Sequence, residues 1–230
     1  MRNLLALFFL FASTATAIGG QSAQSITNAG MPANCSTFAS KVSQSEGNFT
    51  STGVTHTKRG AVSCYGAFQF CSAPGQSGGG TFGQYSNGLT PVKFEASPSA
   101  QISAWTTYEQ KSWSQAQTNN LTSAVGKQVC YQGKCATLTQ SSILMACQFG
   151  CGTGGKLAHL VNAGMNCNAP GITDGKGTNV CSYLIKGTGY DVSCFTGGTT
   201  CKAPGNTPQA PVTTPAPTTN FGVSTTPIIS

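Results

Sequence analysis

Glu46 is one of only five acidic residues in a chain of 230. It stands in "SQSEGNFTSTGVTHTKRGAVSCYGAFQFC" (residues 43–71), with Gly47 directly after it and the aromatic run "YGAFQF" further on, framed by Cys64 and Cys71. A carboxyl at a helix end, walled by aromatic rings, loses solvation, so its pKa rises and it keeps a proton to donate. Cleavage of a glycosidic bond needs such an acid to protonate the leaving oxygen. A single Glu beside a Gly is more often a solvated surface residue, so the elements around it carry the argument.

Other chemistries fit less well. The eleven cysteines include no CxxC pair and come with only two histidines, His56 and His159, so a metal site is not expected. A Cys–His hydrolase needs a reduced thiolate, and here every cysteine competes for a disulfide partner. "GCGTGGKL" (residues 150–157) resembles a phosphate-binding loop, but Leu157 stands where Ser or Thr would hold Mg²⁺, and the run follows a helix pattern, not a strand. No other feature calls for a cofactor.

Three stretches read as helices that would position the candidate acid. In "ANCSTFASKVSQSEGNF", Phe38 and Val42 fall one turn apart and Gly47 supplies the stop. In "SPSAQISAWTTYEQKSW", Ser97 is placed as N-cap and Pro98 as the first helical residue, with Ile102, Trp105, Glu109 and Trp113 at helical spacing. "TQSSILMACQFG" is apolar on most sides and closes at Gly150, which predicts a buried central helix. A shorter helix is expected over "KLAHLVNAG". Gly-rich loops such as "GQSGGGTFGQ" lie between, with a small irregular or β segment near residues 60–70. The expected fold class is mostly α (α+β) and disulfide-rich.

Residues 1–17 have a short basic start, a short apolar core and an "ATA" cleavage pattern, which predicts a secretory signal peptide. An odd, high cysteine count agrees with export to an oxidising periplasmic or extracellular compartment, and leaves one thiol outside the pairs. No later stretch is apolar enough to span a membrane. Residues 18–32 read as a polar leader, 33–202 as one domain, and 203–230 as a disordered Pro/Thr-rich tail. Once Arg2 is removed with the signal peptide, eleven basic residues face five acids. They are scattered, with Lys58–Arg59 the only adjacent basic pair, which argues against nucleic acid. A mild positive field suits an anionic polymer such as a cell wall as well as it suits plain solubility.

The order "SEGNF", then "YGAFQF", then "SPSAQISAWTTYEQ", then "SSILMACQFGCGTGGKLAHLVNAG", resembles the lysozyme-like lytic transglycosylases. "TDGKGTNVCSYLIKGTGYD" is similar to the ending of a branch related to phage and secretion-system transglycosylases. The likeness covers roughly residues 35–192. It implies a lysozyme-like domain in which Glu46 is the sole catalytic acid/base and Tyr65, Gly66, Gln69 and Phe70 form the wall of a sugar cleft. It further implies peptidoglycan glycan strands as substrate, without cofactor or metal, and a secretion-system complex as partner. Cys64 and Cys71 would then staple the wall opposite Glu46. Two positions depart from the pattern. Gly47 replaces the usual Ser after the Glu. Cys147 replaces the Tyr that usually supports the acid, which makes Tyr190 the candidate for that role. The alternatives are a non-catalytic wall-binding module of the same fold, or a lysozyme-type hydrolase with Asp174, Asp191 or Glu109 as a second carboxylate.

Overall fold

The computed structural model describes residues 19–174 and 177–197. Its architecture is α+β, with helices surrounding an aromatic core and two small antiparallel sheets set at the edge. The helices are α1 (Ala23–Asn28), α2 (Ala33–Glu46), α3 (Gly80–Tyr85), α4 (Pro91–Glu95), α5 (Pro98–Thr118), α6 (Gln140–Ala146), α7 (Lys156–Asn162), α8 (Val180–Lys186) and α9 (Ser193–Thr196). One sheet has the order β1 (Thr52–Thr57), β2 (Gly60–Tyr65), β3 (Phe70–Cys71). The second is a hairpin of β4 (Gln128–Tyr131) and β5 (Lys134–Thr137).

Helix α2 ends at Glu46, as its apolar spacing and Gly47 predict. Phe38 and Val42 are fully buried, but so are the small polar residues Ser36, Ser40 and Ser43. Their hydroxyls are satisfied by backbone carbonyls, Ser36 by Ala33 and Ser40 by Gln21, so burial does not orphan them. The segment read as a polar leader therefore docks on α2. Gly20 approaches so closely that a Cβ there would sit 2.5 Å from the Gln44 Cα, and Ile26 of α1 is fully buried.

Helix α5 is the spine. Ser97 caps it by accepting from the Ala100 N–H, and Pro98 opens it. Its inward face carries Ile102, Trp105, Glu109 and Trp113, all buried. Helix α6 packs against α5 and is buried along almost its whole length, with Ile143 and Leu144 inaccessible. A 3-10 turn, Cys147–Phe149, follows it and ends at Gly150. The expected short helix over residues 156–164 is α7.

Five disulfides join Cys35–Cys194, Cys64–Cys71, Cys130–Cys135, Cys147–Cys151 and Cys167–Cys181. The eleventh cysteine, Cys201, and the tail lie outside the described residues. Such a network belongs to an oxidising, extracytoplasmic compartment. Among the described residues no helix is long and apolar enough to cross a membrane.

Candidate functional site

The β segment near residues 60–70 is the three-stranded sheet, and it is locked to the end of α2. The chain leaves Glu46 through Gly47, whose Cβ, if present, would meet Ser51 Cβ at 2.8 Å and Gln69 Nε2 at 3.4 Å. A Ser at position 47 would not fit without a shift. The loop closes on itself when the Asn48 N–H donates to Ser51 Oγ at 2.8 Å. The Ser51 carbonyl then accepts from the Gly66 N–H at 2.8 Å, joining the acid's loop to "YGAFQF".

Each proposed wall residue has a defined place. Gly66 has φ +78, and a Cβ there would lie 2.1 Å from Gln101 Oε1, so both its conformation and its space exclude a side chain. Gln69 turns back on its own strand pair. Its amide donates to the Gly66 carbonyl at 2.9 Å, and Gly53 makes room for it. Tyr65 and Phe70 are buried, Tyr65 edge-on to Phe82 at 4.8 Å and Phe70 edge-on to Phe94 at 5.7 Å. These two rings belong to the buried core. The Cys64–Cys71 bond closes the same β2–β3 pair. Phe68 stacks on Trp105 at 4.4 Å, which ties the wall to α5.

The central anchor is Gln101, a residue that sequence reasoning passed over. Only 1 % exposed, it accepts from the Ala67 N–H at 2.9 Å. Its Nε2 donates to the carbonyls of Phe49 at 2.8 Å and Phe94 at 3.0 Å. One side chain thus holds the loop after Glu46, the wall and the end of α4. In the sequence it is a glutamine on a long helix, and nothing local marks it.

Glu46 is half-buried. Two tyrosine hydroxyls share its field. Tyr108 of α5 is pushed up by burial first, then by the Glu109 carboxyl, with Glu46 adding to the shift. Tyr183 of α8 is pushed up by burial, then by Glu46 and by Asp174. Tyr108 packs edge-on to Phe70 at 6.1 Å and Tyr183 edge-on to Phe149 at 4.6 Å, so both rings are oriented by aromatic neighbours. Beside Tyr108 runs a groove of about 340 Å³, lined also by Tyr85, Lys111, Ser112, Gln115 and Cys147. Tyr190 lies elsewhere: its ring is 6.0 Å from Phe38, its N–H donates to Ser141 Oγ, and it lines a separate groove with Asp191.

The remaining acids are engaged at other points. Glu95 accepts from Thr52 Oγ1. Glu109 is inaccessible within α5 and accepts from Gln148 Nε2 at 3.1 Å. Asp174 accepts from the Thr178 N–H at 2.7 Å. Asp191, near the surface, accepts from the Ser193 N–H at 2.8 Å, and these bonds hold its pKa below the usual range. Of the three candidates for a second carboxylate, Glu109 shares with Glu46 an effect on Tyr108, and Asp174 shares one on Tyr183.

The histidines are both exposed, His56 on strand β1 and His159 on the surface of α7. The ten described cysteines are all in disulfides, so none of them supplies a nucleophilic thiolate. Cys147 is bonded to Cys151.

No family model matches the chain, and no curated protein or solved structure matches it significantly.

Proposed function

We propose that the protein is an exported peptidoglycan lytic transglycosylase of lysozyme-like fold, with Glu46 as its acid/base. The observation that carries the reading is a half-buried glutamate closing α2, tied through Ser51 to the "YGAFQF" wall and sharing its field with Tyr108 and Tyr183. Glu46 protonates the glycosidic oxygen between N-acetylmuramic acid and N-acetylglucosamine. Acting next as base, it draws the proton from the muramyl 6-hydroxyl, which closes on its own anomeric carbon. The nucleophile is already tethered, and that advantage over bulk water reaches several orders of magnitude. The scarcity of carboxylates favours this one-acid route over two-carboxylate hydrolysis. The basic excess suits an anionic wall, the disulfides suit the periplasm or the exterior, and a secretion apparatus is the proposed setting.

The deciding experiment is digestion of purified peptidoglycan followed by mass spectrometry of the products. Transglycosylation leaves 1,6-anhydro-muramic ends, one water lighter than reducing ends. Mainly reducing ends would indicate a lysozyme-type hydrolase, with Asp174, Asp191 and Glu109 to be mutated as candidates for the second carboxylate. The Cys147–Cys151 disulfide at the supporting-Tyr position favours a second reading, a wall-binding module without activity. Peptidoglycan binding without any release of fragments would establish that alternative.

A further inference from the structure

A glutamate with no accessible surface and no cationic partner is costly, and here it sits one residue from a ring at the Glu46 site. Glu109 is 0 % exposed. Its Oε1 accepts from Gln148 Nε2 at 3.1 Å, while Oε2 has no hydrogen-bond partner. Gln148 is half-buried on the 3-10 turn after α6, and its neighbour Phe149 packs on Tyr183. Glu109 and Gln148 are thus each the chain neighbour of a residue that orients, or is, a tyrosine in the Glu46 field. The Glu109–Gln148 bond joins α5 to this turn. With Nε2 committed to Glu109, the carbonyl end of the Gln148 amide is left as an acceptor.

We propose that Glu109 is a positioning residue for the Glu46 site, fixing the Gln148 amide so that its carbonyl end receives an N-acetyl N–H or a hydroxyl of a bound glycan. The proposal rests on the glycan-cleaving reading above. It requires a neutral carboxyl at position 109, and the surroundings supply one. Helices α6 and α9 and the 3-10 turn Leu121–Ala124, all packed on α5, bring no titratable side chain apart from the disulfide-bonded Cys194. Titratable groups on the other packed elements are Tyr85 of α3 and Lys93 and Glu95 of α4, while Tyr108 and Lys111 flank Glu109 on α5 itself. Glu46 acts on the neighbouring Tyr108. None forms an ion pair with Glu109, and burial holds its pKa well above the carboxylate range against the opposing pull of Gln148.

Four variants test it: Glu109→Gln, Glu109→Leu, Gln148→Ala and the Leu/Ala double. Each is assayed for peptidoglycan cleavage, for chitotetraose binding and for melting temperature across pH, at temperatures where melting shows it folded. Glu109→Gln keeps an acceptor for Gln148 and should cleave and bind like the wild type. Glu109→Leu should cleave about tenfold more slowly, and the double variant no worse than the worse single one, because the two residues act as a unit. Full activity in folded Glu109→Leu, or losses that multiply in the double variant, would overturn the proposal. The pH arm has a fixed sign. The native carboxyl keeps its proton where the unfolded one has lost it, so this stabilisation is complete below the unfolded pKa and disappears as pH rises towards the native one. Glu109→Gln should abolish that fall, and an unchanged pH profile would refute the neutral carboxyl. Should the wild type bind chitotetraose without cleaving anything, the Glu46 reading fails alone and the variants are ranked by affinity. Equal affinity in Glu109→Leu, or no chitotetraose binding by the wild type, then rejects the Glu109 proposal as well.

Discussion

Glu46 and Glu109 are the same residue type placed in opposite surroundings, and the two regions are built on different principles. Around Glu46 the chain is loop and short strand, and shape comes from backbone hydrogen bonds, close glycine contacts and one buried glutamine. Around Glu109 it is packed helix, and shape comes from apolar faces that also leave the indole N–H groups of Trp105 and Trp113 without partners. The first region accepts the cost of ordering a loop to keep a carboxyl near water. The second accepts the cost of burying polar atoms to keep a carboxyl dry.

The sharpest way to break the loop region is Gln101→Leu. It leaves the Phe49 carbonyl and the Ala67 N–H buried without partners, at about 1–3 kcal/mol each, while the Phe94 carbonyl keeps the Ser97 N–H. A loss near 4 kcal/mol in chemical denaturation is expected, and a loss below about 1 kcal/mol would show that the wall does not depend on this anchor.

Next comes Glu46→Gln, which keeps the shape and removes the proton. Wall cleavage should fall at least about a hundredfold, close to 2.7 kcal/mol, with melting temperature unchanged. Near-normal turnover would remove Glu46 from the mechanism.

Gly66→Ala probes the close contact between the two regions, since its new methyl would press on Gln101 of α5 at a positive φ. About 2 kcal/mol of destabilisation is expected from thermal or urea unfolding. A neutral result would mean that the wall moves freely relative to α5.

The smallest effect belongs to Asp191→Asn. This exposed carboxylate has a depressed pKa, so the sign is opposite to that of Glu109: its contribution is present above the unfolded pKa and is lost as pH falls through the native one. Screening by solvent keeps the effect below about 0.5 kcal/mol, visible only in neutral buffer and absent in strong acid. A larger loss at pH 7 would place Asp191 in a tighter network than its surface position suggests.

The two regions were also unequally legible in the sequence. The end of α2 at Glu46, the Ser97–Pro98 start of α5 and its buried stripe follow from local rules of spacing and capping. The Cys64–Cys71 bond, which the resemblance implied, is present. Gln101 was illegible because its partners come from residues 49, 67 and 94, and a glutamine on a helix reads as solvated. Tyr108 and Tyr183 were hidden for the same reason, since only folding brings α5 and α8 into the field of Glu46. The β4–β5 hairpin was missed although Gln132 and Gly133 turn with φ 49 and 75, because glutamine is an uncommon first turn residue. Helix α1 escaped notice because its single buried Ile26 gives no period to count.

The Cys35–Cys194 bond joins the first turn of α2 to the last described helix, with Cα atoms 6.4 Å apart. Glu46 closes the other end of α2, and at 1.5 Å of rise per residue that is about 16 Å away. A chain continuing past residue 197 therefore leaves from a helix pinned to the start of α2, while Glu46 closes that helix at its far end.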